Sequence, residues 1–223
     1  MKQEDLESLA IGSLVSGLVC AVIIVTDLLR GHPQKMRIMN IVWPVTALYA
    51  GPLGLWAYYA WGRSRRPGAR PANNVRVTWQ QVVRSTLHCG AGCTVGDILA
   101  ESMLGMFPVV IISNPLFNSW ILEYFFALIT GIVFQYQAVA GMKHRGTVRS
   151  VMAVLKADVW SLTCWQVGMY GWMALAVFGI FHHPLAASGP VFWLMMQAGM
   201  IAGFCTALPV NGWLLKKGIK EAM

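Results

Sequence analysis

Two thiols, an imidazole and two carboxylates stand within residues 88–101: His88, Cys89, Cys93, Asp97 and Glu101. An α-helix advances about 100° per residue, so Cys89, Cys93, Asp97 and Glu101, each four apart, form one slowly drifting stripe. His88 falls well off that stripe. It joins the same site only where the helix starts at His88 or is unwound by Gly90 and Gly92. Thiolates and an imidazole select soft or borderline cations, copper first and zinc or iron next, while the carboxylates below can take a harder ion or released protons. A redox disulfide suits the spacing less well. Cβ atoms at i and i+4 lie about 5–6 Å apart, against about 3.5–4.5 Å across a disulfide.

Groups of this kind at depth need an apolar frame, and the composition supplies one. Of 223 residues 57% are hydrophobic and 12% charged, where a soluble domain carries about 25% charged residues. The chain reads as an integral membrane protein with the lipid bilayer as its main partner. Its net charge of +8 sits between apolar runs, as in cytoplasmic loops, which argues against nucleic acid as a partner. The five cysteines are an odd number and lie almost entirely within apolar runs, unlike a secreted disulfide framework.

The runs predict an all-α bundle of six transmembrane helices forming one domain over 1–223, with spans at about 9–29, 38–61, 89–113, 117–142, 159–181 and 191–215. Pro44 and Pro52 should bend the second. A mobile basic loop is expected over 62–74, followed by an interfacial amphipathic helix over 75–87 that carries Trp79, Val82, Val83 and Leu87. Six spans leave only Arg30, Lys35 and Arg37 of the Lys and Arg residues on one side, which places both termini in the cytoplasm of a cell with this multi-pass protein in its inner membrane. Small residues at Gly12, Ser13, Ser16 and Gly17, and at Gly199 and Gly203, suit close helix contact, the latter pair also contact with a second copy or another membrane subunit.

The run His88-Cys-Gly-Ala-Gly-Cys-Thr-x-Gly-Asp-x-x-Ala-Glu101, the Asn40-Ile-Val-Trp-Pro44 segment and the ending Pro209-Val-Asn-Gly-Trp-Leu-Leu-Lys-Lys-Gly-Ile-Lys220 together resemble a prokaryotic family of multi-span integral membrane proteins known only as a domain of unknown function. The resemblance covers most of the chain. It implies the architecture and the importance of residues 88–101, and no activity.

Asp97 and Glu101 are costly at membrane depth, about 2.5–3.5 kcal/mol for an Asp at a helix centre, so they should face the bundle interior and a partner such as Gln135 or Gln137. The expectation for function is soft transition-metal binding by His88, Cys89, Cys93, Asp97 and Glu101, with movement of the metal across the membrane. Two rivals stand beside it: a membrane thiol oxidoreductase using Cys89 and Cys93, and a non-catalytic subunit of a membrane complex. Met169, Met173, Met196 and Met200 fit core packing better than copper ligation. His182 and His183 read equally as an outward metal-capturing pair and as a solvated turn, and His144 reads as solvent-facing or as a headgroup contact. No phosphate loop, His-Glu-x-x-His or Cys-x-x-Cys-His occurs, so no catalytic residue is assigned and no organic cofactor is indicated.

Overall fold

A computed structural model gives the fold and describes residues 3–34, 36–63, 77–107, 109–140 and 148–220. The chain is all-α. Six long helices follow one another: α1 (Gln3–Leu29), α2 (Met39–Ala57, continuing in π-helical turns over Tyr58–Gly62), α3 (Trp79–Met106), α4 (Pro115–Ala140), α5 (Val148–Ala174, continuing over Leu175–Phe181) and α6 (Pro190–Lys216). Among the described residues, four stretches are long and apolar enough to cross a membrane: Glu4–Leu29, Pro115–Gln137, Asp158–Phe181 and Pro190–Lys216. α3 has the length, but the polar residues it carries lower its apolarity.

The second apolar run is a helical hairpin, where the sequence predicts a bent span. Gly51 has φ 52° and ψ −129° inside α2, a conformation that an L side chain rarely adopts, and Pro52 opens the returning arm in the position where its missing N–H costs nothing. The two arms pack on each other. A Cβ built on Gly54 would lie 3.1 Å from the Ala47 Cα, the rings of Trp43 and Tyr58 are 5.7 Å apart, and Gly62 lies against the Trp43 ring. In a straight helix, residues 43 and 62 would be about 28 Å apart. Trp43 and Tyr58 are therefore fully buried between the arms.

Both feet of the hairpin stand at the C-terminal end of α1. Arg63 donates from Nη2 to Asp27 Oδ1 at 2.8 Å and from Nε to Asp27 Oδ2 at 3.0 Å, and Tyr58 Oη donates to the same Oδ2 at 2.7 Å. Arg84 Nη2, in the first turns of α3, donates to the Trp61 carbonyl at 2.9 Å. The end of α1, the hairpin feet, the start of α3 and, through Lys220, the end of α6 thus share one end of the bundle. The start of α1 and residues 109–114 and 182–189 belong to the other. Gln3 therefore lies at the opposite end of the bundle from Lys216.

A separate interfacial helix over 75–87 is not what forms. Thr78 caps a helix that runs without a break to Met106: its Oγ1 accepts from the Gln81 N–H at 3.4 Å, and Gln81 Oε1 accepts from the Thr78 N–H at 2.8 Å, a reciprocal pair that satisfies two donors at a helix start. Val82, Val83 and Leu87 are buried, the latter two packing with Ile24, Leu28, Trp43 and Phe134. Of the basic loop over 62–74 only Gly62 and Arg63 belong to the described residues, and His144 and Pro108 lie outside them.

Glycines let α3 sit in the middle. A Cβ on Gly92 would lie 3.2 Å from the Gly131 Cα, and one on Gly96 2.5 Å from the Ala127 nitrogen, while Gly90 faces the Trp165 ring directly. Gly90 and Gly92 therefore do not unwind the helix; they admit α5 and α4. Gly199 and Gly203 meet Met169 and Trp165 of α5 in the same way, so this face is used within the chain. Gly17 packs on the Leu48 carbonyl near the hairpin tip, where Gln197 Nε2 also donates at 2.6 Å.

Space is open around Gly51, since the nearest atom to a built Cβ is Ser16 Oγ at 3.9 Å, so any cost of a side chain there is conformational. Gly51→Ala should lower stability by about 1–3 kcal/mol. Gly12→Ala, also in open space but on regular helix, should be neutral or slightly stabilising. Thermal unfolding in detergent compares the two.

Candidate functional site

α3 delivers its stripe into the bundle interior. Cys89, Cys93, Asp97 and Glu101 are all buried, and twelve residues of helix spread them over about 18 Å of the bundle axis. With α3 starting at Trp79, Cys89 lies in the third nearest the hairpin feet and Glu101 near the far end, deeper along the helix than a span opening at Cys89 predicts. Two separate polar clusters result.

The first surrounds Cys89. Its Sγ donates to Asp158 Oδ1 of α5 at 2.8 Å and accepts from Lys220 Nζ at 2.8 Å. Lys220 Nζ also reaches Asp158 Oδ1 at 3.1 Å and Asn211 Oδ1 at 2.9 Å. Asn211 is oriented in turn by donating from Nδ2 to Ser161 Oγ at 2.6 Å and to the Ala207 carbonyl at 3.0 Å. An ammonium has three N–H donors, and here three acceptors meet them. Burial works against the charge on Lys220, while the Asp158 carboxylate paired with it favours the charge, and on balance its pKa is raised.

The second cluster has no such cation. Asp97 Oδ1 accepts from Gln166 Nε2 of α5 at 2.9 Å, and Glu101 lies within hydrogen-bonding reach of Glu123 on α4. Asp97 Oδ2, Glu123 Oε2 and Gln166 Oε1 are buried without a hydrogen-bond partner. None of the ion pairs formed among the described residues involves these three acids. Three adjoining carboxyls away from water cannot all be charged without a counter-charge, so this cluster has to hold protons or a cation.

His88 stands apart from both clusters. It is buried, lies 6.0 Å from the Phe134 ring centre and has no hydrogen-bond partner at either ring nitrogen. A helix continuous from Trp79 holds it about 100° from Cys89, and so the condition for bringing it onto the stripe is not met. Cys89 and Cys93 are both free thiols. Among the described residues, no group of three or more His, Cys, Asp and Glu is arranged to hold a metal ion. Cys89 in particular already faces a cation, which any metal there would have to displace. The four methionines Met169, Met173, Met196 and Met200 belong to one buried apolar cluster, while His182 and His183 are exposed at the far end.

Asp158, Ser161, Asn211 and Lys220 escape a reading centred on residues 88–101. The available signal was an amide and a lysine nine residues apart in the ending run. The neutral partner of Asp97 is Gln166, which donates to it, rather than Gln135 or Gln137, and Gln135 Oε1 has no partner.

Removing one charge of the buried pair exposes the other. Asp158→Asn should cost about 3–5 kcal/mol by stranding the Lys220 ammonium. Combining it with Lys220→Met should recover most of that loss, and a double-mutant cycle of thermal unfolding in detergent measures the coupling.

Residues 78–220 match a family described as a domain of unknown function, DUF4396. No curated protein and no solved structure matches the chain. The matched region begins at the capping residue of α3 and ends at the buried lysine, so it contains every member of both polar clusters and leaves out α1 and the hairpin. The chain belongs to the DUF4396 family.

Proposed function

We propose that this protein is a multi-pass membrane protein that passes protons along the α3 stripe, between the Cys89 cluster and the acidic cluster at Asp97, Glu101 and Glu123. One observation carries the reading: two buried carboxyls, Asp97 and Glu123, and the Gln166 amide leave oxygens without partners in the bundle interior, and ionisable groups at such depth most often serve an ion or proton path. Cys93 stands midway between the clusters, fully buried beside the hairpin-tip residue Tyr49 in the same apolar cluster.

The bundle crosses the membrane five times, with the hairpin re-entrant. Its feet, the segments joined at that end and Lys220 face the cytoplasm, and the start of α1 faces outward. Charge supports this orientation. The segments 30–38, 63–84, 141–156 and 216–220, which join or leave elements at the hairpin end, hold every Lys and Arg of the chain except Lys2. This is a cleaner division than six spans give.

Metal binding by His88, Cys89, Cys93, Asp97 and Glu101, with copper ahead of zinc and iron, is the second reading. The two free thiols and the unpartnered nitrogens of His88 favour it. A thiol oxidoreductase is less well served, because a continuous α3 keeps the two sulfurs on successive turns.

Three measurements test these readings. An impermeant maleimide should reach cysteines introduced at Glu4 and Ser188 from outside and at Lys217 from the cytoplasm; six spans would instead group Glu4 with Lys217. In proteoliposomes with a pH-sensitive dye inside, Asp97→Asn and Glu123→Gln should each slow proton flux at least tenfold, the equivalent of about 1.4 kcal/mol in a barrier, and unchanged flux in both would exclude the path. Elemental analysis of the purified protein beside a Cys89→Ser, Cys93→Ser variant decides the metal reading, which equal metal in both would end.

A further inference from the structure

We propose that Cys89, Asp158 and Asn211 form a binding site for a small monovalent cation of the ammonium class, and that Lys220 is a tethered ion that fills this site and closes the cytoplasmic end of the stripe. The inference rests on the proton-passing reading of α3, and it assigns the site's ligand and its regulation.

The three acceptors are built into rigid elements. Cys89 belongs to α3, Asp158 to α5 and Asn211 to α6. The Asn211 amide is locked by Ser161 and the Ala207 carbonyl with its oxygen turned inward. The two oxygen acceptors, at 3.1 and 2.9 Å from Nζ, match an ammonium nitrogen, and these distances are longer than a divalent metal such as Mg²⁺ or Zn²⁺ requires.

The occupant is held by a thinner attachment. Lys220 lies four residues past the end of α6, beyond a turn in which Gly218 has φ 66°. The Ile219 and Lys220 N–H groups both donate to the single Leu214 carbonyl, at 3.0 and 3.4 Å. Ile219 is 38% exposed, whereas the Lys220 side chain is 0% exposed. Release of this one turn would withdraw the ammonium and leave a carboxylate, a thiol and an amide oxygen facing a vacated position. Such a set attracts a cation of the same size and charge.

The test uses the full chain in detergent, with Lys220→Met and with the charge-neutral pair Asp158→Asn, Lys220→Met. Thermal unfolding is followed in ammonium chloride and in N-methylglucamine chloride at equal ionic strength, the second cation being too bulky to enter. Lys220→Met should gain about 3–5 °C at ten times the half-saturating ammonium concentration. Wild type should not shift, because its site is filled, and the double variant should not shift, because its carboxylate is gone. If Lys220→Met cannot be recovered without ammonium, purification yield is the readout, and recovery in ammonium alone supports the site. Equal behaviour of Lys220→Met in the two salts, equal failure included, overturns it. A cation-specific shift would stand even where liposomes show no proton flux, which separates this inference from the proposed function.

Discussion

Everything in this molecule depends on how closely α3 can approach its neighbours. It is a long helix lined with a thiol pair and two acids, and in an apolar medium each of those groups needs a partner from another helix. Gly92 and Gly96 bring the α4 backbone against it and Gly90 admits the Trp165 ring. With side chains at these positions α4 and α5 would be held off. Asp97 would then lose Gln166, Glu101 would lose Glu123, and Cys89 would lose Asp158. Glycine in a helix interior costs about 1 kcal/mol relative to alanine, and here the close packing around α3 offsets it.

The two polar clusters solve the same burial problem in opposite ways. Around Cys89 the charge is balanced inside the protein, since one ammonium meets a carboxylate and two neutral acceptors. Around Asp97 it is not balanced by any side chain, and oxygens stay unpartnered. A protein that needed only stability would gain by replacing the second cluster with apolar residues, because buried ionisable groups seldom outperform good packing. The interior is thus electrostatically complete at one end of α3 and short of positive charge at the other.

The hairpin gives this interior its asymmetry. Its arms enter and leave at one end, clasped to α1 by the paired Arg63 and Asp27, and its tip reaches mid-bundle where Leu48 accepts from Gln197 and Tyr49 stacks edge-on to Trp165 at 6.0 Å. A reversal at that depth leaves backbone carbonyls that lipid could not satisfy, and the donor from Gln197 meets one of them. The hairpin also lies outside the region matched to the family.

Composition and period alone determined that the chain is all-α and apolar, where α4 and α6 run to within a few residues in the described parts, where α5 ends though not that it begins as early as Val148, and that Cys89, Cys93, Asp97 and Glu101 share one buried stripe. These properties are local, because the helical repeat and the length of an apolar run are written in neighbouring residues. The start of α3 is legible too, in the Thr78 and Gln81 pair. What only the tertiary structure decided is non-local. A hairpin and a bent span have the same composition over residues 39–62, and the difference is one positive φ at Gly51. The partners of Cys89 come from positions 69 and 131 residues away, and no spacing rule within a helix specifies a contact made across a bundle.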